Sequence, residues 1–141
     1  MNILVLNLTR FGDLLQSAAT IRALAQSNNG KRNRIGIVCI NNFLAGAALL
    51  PDVDALFPLP GNDLLAHLAP LPGTTRQRSW LAGLEMLHSW ITKVRTEFSP
   101  DVVCNISPTV PACLLARLLA GDGEYKGFAL DSFGFLQNTS P

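Results

Sequence analysis

Asn2-Ile3-Leu4-Val5-Leu6-Asn7-Leu8, followed by Thr9-Arg10-Phe11-Gly12-Asp13, is the stretch on which the fold turns. The first part is a short apolar run rich in Ile, Leu and Val, the composition of a strand buried on both faces of a parallel sheet. Thr9-Arg10-Phe11-Gly12 breaks it. From Asp13 to Gln26 the period changes: Leu14, Ala18, Ile21 and Ala25 recur at helical spacing. Ser27-Asn28-Asn29-Gly30 is the stop. A buried strand, a tight loop and an amphipathic helix form the opening half of a β-α-β unit.

The pattern repeats outward from there. Arg34–Ile40 is a second buried strand, Phe43–Leu50 a short helix ended by Pro51, and Asp54–Leu59 a third strand. Gly61–Ser79, with Pro70, Pro72 and Gly73, is the least regular segment and reads as a loop or a partly helical excursion. From Trp80 the chain is helical, with Leu84, Leu87, Ile91, Val94 and Phe98 at steps of three and four, until Pro100. Val102–Ile106, Pro108–Leu119 and Lys126–Leu130 add a strand, a helix and a fifth strand. Residues 133–141 read as a frayed end or the start of a linker. Alternating strands and helices specify an α/β fold, an open parallel sheet with helices on both faces. The expected strand order is 3-2-1-4-5.

Composition narrows the function classes. The chain has 141 residues, 48% hydrophobic and 15% charged, and a net charge of +1. That is enough for one domain with a real core, and too apolar for a disordered segment. The charge balance gives no footprint for nucleic acid. No apolar run reaches the roughly 18 residues of a membrane span, and the N-terminus lacks a signal peptide's basic region. Cys39, Cys104 and Cys113 form no CxxC pair, which favours reduced, buried thiols over a metal site.

In a sheet of this kind ligands bind outside the carboxyl ends of the strands. The loop after the first strand holds a single glycine, so it is not a dinucleotide fingerprint. It does offer Asp13 at a helix start, where the dipole favours an anion. Asp13-Leu14-Leu15-Gln16 has the spacing of a capping box, so Asp13 is either an N-cap or a general base. Arg76 and Arg78 follow the third strand on the same edge and suit an anionic ligand, or are simply solvated. Asn105-Ile106-Ser107-Pro108-Thr109 follows the fourth strand and presents polar groups for hydroxyl or anion recognition, or a helix cap. Lys31-Arg32-Asn33-Arg34 falls on the opposite edge and is expected to be exposed, with anionic lipid as its alternative contact.

Gly12-Asp13-Leu14-Leu15 with Arg22-Ala23-Leu24 resembles the opening of glycosyltransferase family 9, the ADP-heptose:lipopolysaccharide heptosyltransferases. Pro100-Asp101-Val102-Val103-Cys104-Asn105-Ile106-Ser107-Pro108, Leu114–Gly121 and Gly127–Asp131 are similar to later stretches of that family, in the same order. The chain departs from the family at Asn7, where many members have a basic residue, and at Ser17-Ala18-Ala19, where they have Thr-x-Pro.

The resemblance implies the Rossmann-like N-terminal half of a GT-B enzyme, covering residues 1–132, with the C-terminal donor domain absent from this chain. It implies inverting transfer of heptose from ADP-heptose to the lipopolysaccharide inner core, without metal or cofactor. Asp13 would be the general base. Thr9, Arg10, Gly12, Arg76, Arg78, Asn105 and Ser107 would contact the acceptor. The implied partners are a glycolipid acceptor and the missing domain, in the cytoplasm with a peripheral contact on the inner membrane. The fragment alone is expected to be inactive. The competing expectation is a stand-alone Rossmann-like module that binds an anionic glycan or nucleotide without chemistry. Low charge sharpens into a further expectation: apolar surface on the functional edge that faces a partner domain.

Overall fold

The computed structural model describes residues 1–26, 30–68 and 77–139, with the side chains of 77–79 left aside. Six strands form one sheet: β1 (Asn2–Leu6), β2 (Arg34–Ile40), β3 (Ala55–Leu59), β4 (Val102–Asn105), β5 (Glu124–Leu130) and β6 (Leu136–Asn138). Their order is β3-β2-β1-β4-β5-β6. The first five are parallel, as the apolar runs imply, and β6 is antiparallel to β5.

The helices are α1 (Phe11–Gln16), α2 (Ala18–Ala25), α3 (Leu44–Ala47), α4 (Gly61–Leu68), α5 (Gln77–Phe98) and α6 (Val110–Ala120). They divide between the two faces because strand side chains alternate. On one face Leu4, Leu6, Val38, Phe57 and Val103 pack against α4, α5 and α6. On the other, Ile3, Val5, Ile35, Ile37 and Cys39 pack against α1, α2 and α3. Burial pushes the Cys39 and Cys104 thiols up, and none of the three cysteines is disulfide-bonded. At Gly36 α5 packs tightly on the sheet: a Cβ there would meet Phe98 Cζ at 2.9 Å.

Two expectations need correction, and a third resolves between its alternatives. The Asp13–Gln26 helix is two helices, broken at Ser17, whose hydroxyl donates to the Leu14 carbonyl at 2.6 Å and so competes with the helical ladder. Of the two readings of Gly61–Ser79, the partly helical one holds: its ends lie in α4 and the first turn of α5, and residues 69–76, which include Arg76, lie outside the described residues. The tail from 133 is not frayed through residue 139. Asp131 Oδ1 accepts from the Phe133 and Phe135 N–H groups, and this turn returns the chain as β6. The helix stop at Ser27–Asn29 also falls outside the described residues.

The Lys31–Arg34 cluster lies at the amino edge, and part of it is structural. Arg32 donates to both oxygens of Asp54 (2.8 and 3.0 Å) and to the Asp52 carbonyl (2.7 Å). The Arg34 guanidinium sits 4.8 Å from the centre of the Phe98 ring. Asn33 is buried and donates to the Leu24 carbonyl.

Candidate functional site

The loops after β1 and β4 meet at the carboxyl edge and are stitched together by polar side chains. Asn7 is buried, its N–H donates to Val38 O, and its Oδ1 accepts from the N–H and hydroxyl of Thr9. Ser107 Oγ accepts from the Leu8 N–H at 2.7 Å. Asn105 Oδ1 accepts from the Ser107 N–H at 2.9 Å, and Asn105 Nδ2 donates to Phe128 O at 2.8 Å. The same Phe128 carbonyl also accepts from the Tyr125 hydroxyl and the Cys113 thiol. Burial pushes the Tyr125 hydroxyl up.

Asn105 and Ser107 are both 0% exposed. They hold the loops and cannot reach a ligand, which corrects their assignment as acceptor contacts. The helix-capping alternative falls to Thr109 instead, which accepts from the Ala112 N–H as the N-cap of α6.

Above this floor lies a cleft of about 400 Å³ lined by Asn7, Thr9, Asp13, Gln16, Ser17 and Thr20 on one side and by Ile106, Pro108 and Phe128 on the other. Asp13 is not an N-cap. The α1 cap is Arg10, whose side chain makes no capping bond, and Asp13 stands in the first turn. Among the described residues no hydrogen bond or ion pair occupies the Asp13 carboxylate, so it is available to accept a proton from a hydroxyl in the cleft. Thr9 is beside it. Arg10, the cap of α1, and Gly12, in its first turn, are exposed but do not line the cleft. Arg78 falls in the first turn of α5, its side chain outside the described residues.

Two lining residues were missed by the sequence reading: Gln16 and Thr20. Their signal is present, since positions 13, 16, 17 and 20 share one helical face beside the apolar stripe of Leu14, Ile21 and Ala25. Among the described residues no group of His, Cys, Asp and Glu is placed to hold a metal ion.

No protein-family profile and no curated sequence matches the chain. Solved structures do. E. coli heptosyltransferase WaaC with ADP-2-deoxy-2-fluoro heptose is similar over 93% of this chain and 36% of its own, with a TM-score of 0.65 at 14% identity. The family 9 glycosyltransferase from Veillonella parvula is similar over 83% of this chain and 29% of its own, with a TM-score of 0.59 at 16% identity. This is the Rossmann-like fold of the GT-B glycosyltransferases. A UDP-GlcNAc 2-epimerase from Neisseria meningitidis, bound to UDP-GlcNAc, has it more distantly, with a TM-score of 0.50 over 94% of this chain and 34% of its own, at 16% identity. The chain thus spans about a third of the length of the solved chains it matches. Among the described residues no helix is long and apolar enough to cross a membrane.

Proposed function

We propose that this chain belongs to glycosyltransferase family 9 and is its acceptor-side half, residues 1–132, which works with a donor domain not included in it. In that enzyme Asp13 takes the proton of an acceptor hydroxyl. The oxygen attacks C1 of heptose in ADP-heptose, the C1–O bond to the diphosphate breaks, and ADP leaves with the electron pair. The anomeric centre is inverted. Gln16, Thr9 and Thr20 orient the acceptor, a sugar of the lipopolysaccharide inner core; Arg76 and Arg78 meet its negative charge. The enzyme works in the cytoplasm at the inner membrane surface, where its glycolipid acceptor lies.

One observation carries this reading: an unpaired carboxylate at the carboxyl edge of β1, beside a cleft with hydroxyl and amide side chains on the same helical face. The heptosyltransferase likeness of the fold supports the reaction class. Support for a further domain comes from apolar surface that begins at that edge and runs down α6. Val110, Leu114 and Leu118 form an exposed stripe on α6, and Phe133 (84% exposed) and Phe135 stand out from the turn after β5.

Titration calorimetry with inner-core sugar and with ADP tests the proposal. Weak sugar binding that Asp13→Asn and Gln16→Ala reduce, with no ADP binding, is the expected result. Tight ADP or UDP binding by the chain alone favours the nucleotide-binding module instead. Heptose transfer by residues 1–141 would overturn the need for a second domain.

A further inference from the structure

The two walls of the Asp13 cleft differ in chemistry. On one, Asp13, Gln16 and Thr20 are exposed and stand three and four residues apart along α1 and α2. The hydroxyls next to them are engaged within the chain: Thr9 donates to Asn7 Oδ1 and Ser17 to the Leu14 carbonyl. This wall presents a carboxylate, an amide and a hydroxyl. The other wall, Ile106, Pro108 and Phe128, presents carbon.

Phe128 stands apart among these three. Ile106 packs against the core on the α1–α3 face, whereas Phe128 is half-buried and joins neither core cluster. Its backbone is nonetheless fixed from both sides. The carbonyl of Phe128 accepts from the Asn105 amide, the Tyr125 hydroxyl and the Cys113 thiol. The carbonyl before it, that of Gly127, accepts from the N–H and hydroxyl of Thr139 at 2.8 and 2.9 Å. Gly127 itself, with φ +92° and the Asn105 carbonyl where a Cβ would stand, admits no side chain. A residue held this firmly by its backbone, at the rim of a cleft and outside the core, is a preorganised platform for a ligand.

We propose that the cleft takes a neutral pyranose, with a C–H face of the ring on Phe128 and Pro108 and its hydroxyls toward Asp13, Gln16 and Thr20. A pyranose has hydroxyls around its rim and polarised C–H groups on its faces, and the negative face of an aromatic ring attracts the latter. One apolar wall opposite one hydrogen-bonding wall, in about 400 Å³, matches that shape. Charge narrows the class further. Among the described residues that line the cleft, Asp13 is the one ionisable side chain, so a carboxylate or phosphate on the same ring would face a like charge at close range. The inference rests on the acceptor reading above and narrows it: the unit that gives its proton to Asp13 is neutral, and negative charge on the acceptor belongs to a neighbouring unit outside the cleft. Phe128 is then a specificity-determining residue.

The test uses the 141-residue chain with methyl mannoside and methyl mannuronide, which differ by a hydroxymethyl group against a carboxylate. Saturation-transfer NMR at neutral pH is expected to show the mannoside bound through its ring C–H hydrogens, and the mannuronide bound at least about fivefold more weakly. Phe128→Leu keeps apolar bulk and loses the ring; it should weaken the mannoside about fivefold and erase the C–H pattern, while Phe128→Tyr keeps both. Asp13→Asn should weaken the mannoside and strengthen the mannuronide, a crossing of signs that a merely structural role would not produce. Equal or tighter binding of the mannuronide, or native binding by Phe128→Leu, overturns the proposal. So does ADP that displaces the mannoside and is itself weakened by Phe128→Leu, which marks the ring as a platform for a base. If neither glycoside binds but inner-core oligosaccharide does, the acceptor reading stands and the neutral-ring inference falls. If no sugar binds, both fall.

Discussion

The ring of Phe11, at the start of α1, lies against the Cα of Gly46 in α3: a methyl group at position 46 would come within 2.3 Å of Phe11 Cε2. Phe43 meets the same ring edge-on, with centroids 6.5 Å apart. The turn that carries Asp13 is thereby anchored to the adjacent helix, two residues before the carboxylate. Gly46→Val should displace the ring and cost about 1–3 kcal/mol by overpacking. Phe11→Ala should remove most of that penalty, because the ring is the obstacle. A double-mutant cycle by urea unfolding checks it; additive losses would place the strain elsewhere.

Gly12 and Asp13 separate ligand roles from stability. A Cβ on Gly12 meets nothing within 4 Å, and Asp13 is exposed. Gly12→Ala should leave stability unchanged or raise it by a few tenths of a kcal/mol, up to about 1, from helix propensity alone. Asp13→Ala should stay within about 0.5 kcal/mol of the native chain. Loss of acceptor binding with an unchanged thermal midpoint is the expected pair of readings for Asp13→Ala, while Gly12→Ala, outside the cleft lining, should leave binding unchanged. A midpoint that drops several degrees would make these residues part of the framework.

Asn105 is the opposite case. Its side chain satisfies the Ser107 N–H and donates to the Phe128 carbonyl from a fully buried position. Asn105→Ala strands the Ser107 N–H, while the Phe128 carbonyl keeps the Tyr125 hydroxyl and the Cys113 thiol, and should cost about 1–3 kcal/mol. Chemical denaturation measures it. A neutral result would show that these bonds do not hold the loops together.

Gly127 shares that region. Its φ is +92°, and a Cβ would meet the Asn105 carbonyl oxygen at 2.1 Å, an atom fixed by backbone. Gly127→Ala combines backbone strain with a clash that cannot relax, so a loss of about 3 kcal/mol or more is expected. Soluble expression and thermal midpoint are sufficient readouts.

Asp54 gives a pH dependence. Burial pushes its carboxyl up, but the Ile35 N–H and the Arg32 guanidinium outweigh it, and it stays below the ordinary carboxylate range. A depressed folded value means that the unfolded chain takes up the proton first as pH falls. The stabilisation is therefore full above about pH 4, the ordinary value, and is lost on further acidification through the folded value. Native and Asp54→Asn chains should differ in urea midpoint at neutral pH and converge in acid. A constant difference down to the acid limit would contradict this sign.

Much of this fold is legible in the residues themselves. The central parallel strands are buried on both faces, so Arg34–Ile40 and Val102–Asn105 announce themselves as apolar runs, and α5 keeps its three-and-four spacing over five turns. The hairpin strand Leu136–Asn138 has no such signal, since all three residues are exposed. The break at Ser17 depends on one hydroxyl finding a carbonyl, which spacing does not encode. The site divides in the same way. Asp13 and Thr9 could be placed because the strand-loop-helix pattern fixes their edge. Asn105 and Ser107 could not be assigned, because a polar side chain at a strand end looks alike whether it faces a ligand or its neighbour's backbone.

The bond from Leu8 to Ser107 closes the two loops beneath Asp13 on each other before anything enters the cleft. A ligand arriving there finds its floor already preorganised, with backbone entropy lost at folding rather than at binding. What remains to be ordered is a few side chains, chiefly Gln16, whose immobilisation costs about 1 kcal/mol. Affinity at this site is therefore set by what the wall side chains and the incoming molecule offer each other, and changes in the floor register first as changes in stability.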